Sequence, residues 1–194
     1  MKRQEEKIQG KLPGLQGLMS KVIVVGGGAA GMMAAVFAAE NGHHVQIYEK
    51  NDRLGRKLFI TGKGRCNITN ASDVEELFQA VVSNPKFLYS AFYSFTNEQV
   101  IDFFENLGVK TKVERGNRVF PVSDKAVDIV DALNKFVTVN GVKRKTSRVK
   151  SLMISDGEVR GVKTEDGLIH YADSVIVATG GLSYPKTGST GDGY

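Results

Sequence analysis

The run Gly26-Gly27-Gly28-Ala29-Ala30-Gly31 has the spacing G-x-G-x-x-G. Each of its spaced glycines answers a separate need. Gly26 permits a tight turn, Gly28 lets a pyrophosphate come up against the backbone, and Gly31 lets the following helix pack closely on its sheet. Ala29 and Ala30 lie in the first turn of that helix, whose unpaired N–H groups present a partial positive charge to phosphate. A carboxylate, Glu49, follows 18 residues after Gly31. There it can accept hydrogen bonds from both hydroxyls of an adenosine ribose, and its charge disfavours a 2′-phosphate. The expected nucleotide is therefore FAD or NAD rather than NADP.

Two further groups of residues could do chemistry. Between 50 and 72 a long segment interleaves Gly55, Gly62 and Gly64 with Arg53, Arg56, Lys57, Lys63 and Arg65, a basic loop suited to offsetting a diphosphate. It carries the single cysteine, Cys66, for which local packing outweighs a redox role, since a dithiol reductase needs two thiols. Near the end, Thr179, Gly180 and Gly181 follow an apolar run, where glycine allows close backbone approach. His43, His44 and His170 read as structural or solvent-facing.

The elements that must position these residues can be read from the pattern. Val22 to Val25 is a buried parallel strand, Ala29 to Asn41 a helix stopped by Gly42, and Val45 to Glu49 a second strand, together a β-α-β unit. A helix from Ser72-Asp73 through Val82 is expected next, then Asn84-Pro85 as an N-cap and first-turn pair. Thr96 with Gln99 forms a capping box before a helix closed at Gly108. A hairpin over 109–119 turns at Gly116-Asn117, and apolar residues recur at helical spacing from Asp124 to Val139. Residues 142–171 read as an antiparallel meander with turns at Asp156-Gly157 and Asp166-Gly167. Asp173 to Thr179 is a further buried strand. The order implies an α/β fold: a parallel sheet of Rossmann type with a helical insertion and an antiparallel β-meander. The aromatic residues of 87–104 are expected to serve mainly as helix core.

Composition narrows the classes. A chain of 194 residues with a net charge of +5 and 41% hydrophobic residues is globular. Its apolar runs are too short to span a membrane. One Cys and three His exclude a disulfide framework and make a metal site unexpected, and they fit a reducing, cytoplasmic setting. Residues 1–20 are basic without an apolar stretch, so they read as a flexible extension rather than a signal, leaving 21–194 as the nucleotide-binding domain. The rest of the chain is only weakly basic, so RNA is a weakly supported partner.

The motifs also carry a resemblance. GRKLFITGKGRCNITN at 55–70, RVFPVS at 118–123 and ATGGLSYPKTGSTGDGY at 178–194, with the GGGAAG turn, resemble the signatures of the BaiN/YhiN-like bacterial flavoproteins, also labelled the aminoacetone oxidase family. The resemblance implies a glutathione-reductase-type FAD fold and an FAD-dependent oxidoreductase. Members of the family reduce conjugated steroid or bile-acid enones, or act on ribosomal RNA uridine. It implies that Gly26, Gly28, Ala29, Ala30 and Gly31 face the FAD pyrophosphate, that Glu49 and Lys50 hold the adenosine end, and that Arg56 and Lys57 lie near the phosphates or ribityl chain. Gly64, Arg65, Cys66, Asn67 and Thr69 should approach the isoalloxazine, Val149 should pair its backbone with adenine, and Thr179, Gly180 and Gly181 should line the cofactor. Tyr184 reads first as packing under its loop, with proton donation near the flavin as the alternative. The expected chemistry is hydride transfer from a transient NAD(P)H to an electron-poor C=C or C=N bond of a small molecule. Uridine reduction in RNA and an NAD-binding dehydrogenase domain are the alternatives. Family members continue beyond this point with a substrate domain and a returning segment, so the 194 residues are expected to be an N-terminal part.

Overall fold

The computed structural model describes residues 19–183, 185 and 190–193. The expected extension lies, up to residue 18, outside the described residues, as does Tyr184. The chain runs β1 (Lys21–Val25), α1 (Ala29–Glu40), β2 (His44–Glu49), β3 (Thr69–Asn70), α2 (Val74–Gln79), α3 (Tyr89–Ser94), α4 (Asn97–Asn106), β4 (Thr111–Glu114), β5 (Arg118–Pro121), α5 (Ala126–Val139), β6 (Lys143–Thr146), β7 (Val149–Ser155), β8 (Glu158–Thr164), β9 (Ile169–Tyr171) and β10 (Ser174–Val177).

A four-stranded sheet in the order β10-β1-β2-β6, parallel throughout, forms the centre. β1 is covered on both faces, which accounts for its unbroken β-branched run. Successive side chains point to opposite faces. Val22 and Val24 meet Met32, Ala35 and Val36 of α1 and Ile129, Leu133 and Val137 of α5. Ile23 and Val25 pack on the other face with Tyr48, Val162 and Ala172, where the β7-β8-β9 meander lies. The architecture is thus helices, parallel sheet, meander. A second antiparallel sheet, β3-β5-β4, packs beside α4 and α5.

The expected elements are largely present, with differences of physical origin. The segment 142–171 is not all meander. Its first part, β6, joins the parallel sheet beside β2, pairing Ile47 with Arg144 and Glu49 with Thr146. Its sequence KRKT lacks an apolar signal because β6 is an edge strand and largely exposed. The last strand, β10, is also an edge among the described residues, and Val177 is half exposed rather than buried. The helix expected through Val82 stops at Gln79. Asn84 adopts a left-handed backbone (φ 50°) and its side chain makes no cap bond, so the Asn84-Pro85 pair opens only a short 3-10 turn before α3. By contrast, the Thr96/Gln99 capping box is reciprocal: the Gln99 N–H donates to Thr96 Oγ1 at 3.2 Å and the Thr96 N–H to Gln99 Oε1 at 2.8 Å.

The aromatic residues of the insertion divide. Phe104 is buried and Phe103 meets Phe136 at 5.0 Å between ring centroids, but Phe87 and Tyr93 are exposed. The expectation of core packing holds for α4 and fails for the 3-10 turn and α3, because α3 is a short helix with no buried residue. No helix among the described residues is long and apolar enough to cross a membrane.

Candidate functional site

The Gly-rich turn lies where β1 hands over to α1. Gly26 has φ +102°, and a Cβ there would sit 2.5 Å from the Ala178 carbonyl oxygen, so only glycine fits between the ends of β1 and β10. At Gly31 a Cβ would lie 1.9 Å from the Gly26 carbonyl oxygen; the helix packs directly on the turn it leaves. Gly28 is different. A Cβ there would meet nothing within 4 Å, and its backbone (φ −77°, ψ −173°) is one any residue can adopt. Sequence reading assigns it to ligand approach, and no protein atom needs the space. Gly28 is also the N-cap of α1, no side chain caps the helix, and its first turn carries no acidic residue. Ala29 and Ala30 are exposed. The N–H groups of this helix end are left facing outward, a favourable seat for an anion.

Glu49, 8% exposed, closes the other side. Its Oε2 accepts from the Gly27 N–H at 2.7 Å. Its Oε1 accepts from the Asn51 N–H at 2.9 Å and from Asn51 Nδ2 at 2.5 Å. A carboxylate has about four acceptor positions, so one remains for a ribose hydroxyl. The Glu49 carbonyl accepts from the Ser147 N–H at 2.9 Å, which brings the start of β7, and with it Val149, to this end of the sheet.

The basic loop splits into two halves. Its first half joins the turn. Arg56 Nη1 donates to Asn51 Oδ1 at 2.6 Å, Lys57 Nζ donates to the Ser183 carbonyl at 3.3 Å, and the Gly55 N–H donates to the Gly27 carbonyl at 2.7 Å. Lys50 pairs with Asp192 and donates to Thr190 Oγ1 at 2.7 Å, while Arg148 reaches Asp192 at 3.5 Å. This cation pair holds the Asp192 carboxyl below its ordinary range, Lys50 contributing most. Thr179 Oγ1 would lie 2.4 Å from a Cβ on Gly193, so the last described residues fold back over the end of β10. Gly180 (φ +78°) and Gly181 have open space around them.

The second half sits with the β3-β5-β4 sheet instead. Arg65 binds Glu114 with both Nη atoms at 2.9 and 3.1 Å, reaches Asp124 at 3.0 Å, and stacks 4.1 Å over the Phe120 ring. Arg65 first, then Lys112, holds Glu114 below the usual carboxylate range; Lys112 first, then Arg65, does the same for Asp124. Cys66 is buried in the helix-side core with φ +59°, and burial pushes its thiol up. Asn67 Nδ2 donates to the carbonyls of Thr69 and Val119, both at 2.9 Å. Thr69 pairs with Val119 in the sheet, and Gly64 (φ +84°) turns the loop. So the structure gathers Gly26–Gly31, Glu49, Arg56, Lys57, Thr179 and the approach to Val149. It sets Arg65, Asn67 and Thr69 against the neighbouring β3-β5-β4 sheet and Cys66 in the helix-side core. Among the described residues no group of three or more His, Cys, Asp or Glu could hold a metal ion.

Asn51 was not among the sequence candidates, although it joins Arg56 to Glu49. The available signal was an amide two residues after a strand-end carboxylate, a spacing at which a side chain can pair locally.

Residues 20–194 match the family model described as "HI0933-like protein Rossmann domain". The chain belongs to this family. It is 34% identical over 180 residues to the 3-dehydro-bile acid delta(4,6)-reductase of Clostridium scindens, a match covering 91% of this chain and 42% of that protein. It is 32% identical over 174 residues to the ribosomal RNA dihydrouridine synthase of Escherichia coli, covering 89% and 42%. The chain thus spans less than half the length of these relatives. A flavocytochrome c3 fumarate reductase in its open conformation aligns over 84% of this chain and 34% of its own, with a TM-score of 0.58 and 24% identity. The fold is the Rossmann-type FAD-binding domain of such oxidoreductases.

Proposed function

We propose that this chain is the cofactor-holding part of an FAD-dependent oxidoreductase. One observation carries the reading. The uncapped N-terminus of α1 opens at Gly28 onto space that no protein atom needs, with the Glu49 carboxylate tied to the same turn at 2.7 Å. Held there by these residues, FAD would supply hydride chemistry, with NAD(P)H as the proposed donor and an electron-poor C=C or C=N bond as the proposed acceptor. The chain's own residues do the holding. The N–H groups of Ala29 and Ala30 face the diphosphate, Glu49 takes the adenosine ribose, and the Val149 backbone meets adenine. Arg56 and Lys57, at the first half of the basic loop, add positive charge on the phosphate side. Gly64, Arg65, Cys66, Asn67 and Thr69 serve the isoalloxazine end through the loop they shape.

The substrate class follows the relatives. A bile-acid reductase named for delta(4,6) positions favours a conjugated enone. A second reading, uridine reduction in RNA, is favoured by the dihydrouridine synthase relative at nearly the same identity. The test is the visible spectrum of the purified protein, followed by NAD(P)H oxidation in the presence of an enone steroid or of RNA. A flavin spectrum supports the reading. A colourless protein that takes up no added FAD refutes it.

A further inference from the structure

We infer that Asn51 is a positioning residue for the adenosine end of the site, linking Arg56 to Glu49 in a hydrogen-bonded relay that ends on the Gly-rich turn. The inference rests on the nucleotide seat proposed above and goes beyond it in naming what fixes its specificity. The chain of contacts is continuous. Arg56 Nη1 donates to Asn51 Oδ1 at 2.6 Å, Asn51 donates to Glu49 Oε1 through both its backbone N–H and Nδ2, and Glu49 Oε2 accepts from the Gly27 N–H. An amide is suited to the middle position, because it accepts from a guanidinium on one side and donates to a carboxylate on the other. Aspartate could not donate, and a hydroxyl would not span both partners.

The consequence is geometric. A carboxylate held only by the backbone N–H groups of Gly27 and Asn51, one on each oxygen, keeps freedom about its last torsion, which is broad and soft. Held by the Asn51 side-chain amide as well, Glu49 keeps a fixed orientation, with one acceptor position toward a ribose hydroxyl and its charge where a 2′-phosphate would fall. Arg56 then has a role besides direct contact with phosphate: it holds the Asn51 amide in the orientation that donates to Glu49. Burial of Glu49 strengthens the bonds it accepts from Gly27 and Asn51 relative to water, while the Arg56–Asn51 bond is exposed.

The experiment uses ADP-ribose and its 2′-phosphorylated form as probes, titrated calorimetrically against the protein and its variants. Asn51→Ala is expected to weaken ADP-ribose about tenfold, the loss of one hydrogen bond to a charged group. It is also expected to shrink the preference for ADP-ribose over the 2′-phosphorylated probe. That ratio is taken on a single preparation, so partial unfolding cancels from it, and a merely structural role for Asn51 would leave it unmoved. Arg56→Ala should produce a smaller shift of the ratio in the same direction and add nothing in the double variant, because both act along one path. An unchanged ratio in Asn51→Ala overturns the inference. So does an Arg56→Ala shift of the ratio that persists undiminished in the double variant, because that shift would not pass through Asn51. Failure of the unaltered protein to bind ADP-ribose overturns the seat itself, a result distinct from both.

Discussion

Two glycines three residues apart should respond oppositely to the same methyl group. In Gly28→Ala the added Cβ meets nothing within 4 Å and the backbone, at φ −77° and ψ −173°, suits alanine. Reduced freedom of the unfolded chain favours the variant by about 0.4–1 kcal/mol. Alanine is a poorer N-cap than glycine by about half a kcal/mol, which offsets that gain. The melting temperature should therefore stay within about 2 °C of the unaltered protein. The methyl group does, however, occupy the space through which a diphosphate reaches the helix N–H groups. Losing two charge-assisted bonds at about 1.5 kcal/mol each costs roughly a hundredfold in FAD affinity. In Gly31→Ala the Cβ would lie 1.9 Å from a backbone carbonyl, which cannot move without shifting the turn. Overpacking of this kind costs about 1–3 kcal/mol or more, or roughly 2–12 °C of melting temperature in a chain of this size. Differential scanning fluorimetry with and without FAD reads both quantities. A Gly28→Ala protein that melts normally and binds FAD undiminished would refute the placement of the diphosphate.

Three further outcomes follow from the charged and buried groups. His170 lies 5.1 Å from the Tyr48 ring between meander and sheet, and burial first, then Lys145, pushes its imidazole below the ordinary range. Its folded pKa is depressed, so its contribution to stability is full above about pH 6.5 and is lost as pH falls through the lower folded value. Melting curves between pH 5 and 8, on scales set by that pKa, should flatten in His170→Gln; an identical slope in both proteins refutes this. The depressed carboxyls of Glu114 and Asp124 contribute fully above the normal carboxylate range and lose that contribution in acid. Arg65→Ala should therefore lower melting temperature at neutral pH, with the difference vanishing in acid and shrinking in high salt. A pH-independent difference would point to lost stacking on Phe120 instead. Cys66, buried with its thiol pushed up, should resist maleimide labelling in the native protein and label fully in denaturant. Rapid native labelling would contradict that burial.

What was legible in the sequence was legible for local reasons. The Gly-rich turn, the capping box at Thr96 and the Asp156-Gly157 turn are each fixed by residues a few positions apart, and each is present. β1 could be read because it is buried on both faces, which leaves no polar residue to break the run. β6 could not be told from meander, because an edge strand beside β2 keeps its charged residues in solvent and shows no apolar pattern. The same holds at the site. Glu49 was found from its distance to Gly31, but nothing in its neighbourhood reveals that it also braces Gly27, a bond between residues 22 positions apart. Nor could spacing reveal that Arg65 is drawn toward Glu114 and Asp124, 49 and 59 residues away.

The distribution of charge bears on which of the two substrate classes fits. Residues 50–65 hold Lys50, Arg53, Arg56, Lys57, Lys63 and Arg65 against Asp52 alone, whereas residues 72–107 hold six acidic residues against Lys86. The acidic insertion is also where Phe87 and Tyr93 are exposed, so this aromatic patch lies on a surface that repels phosphate. An RNA approaching this part of the protein would have to lie along the basic loop. There, however, Lys50 is committed to Asp192, Arg56 to Asn51 and Arg65 to Glu114 and Asp124. Each committed cation has less to gain from a phosphate, since an existing partner must be given up. A neutral or apolar substrate meets no such opposition. On these grounds any RNA affinity of this chain alone should be weak and should fall steeply between 50 and 200 mM salt, the range over which phosphate contacts are lost. Tight RNA binding that still falls steeply with salt would mean that the committed pairs open onto phosphate on contact, and would shift the balance to the uridine reading.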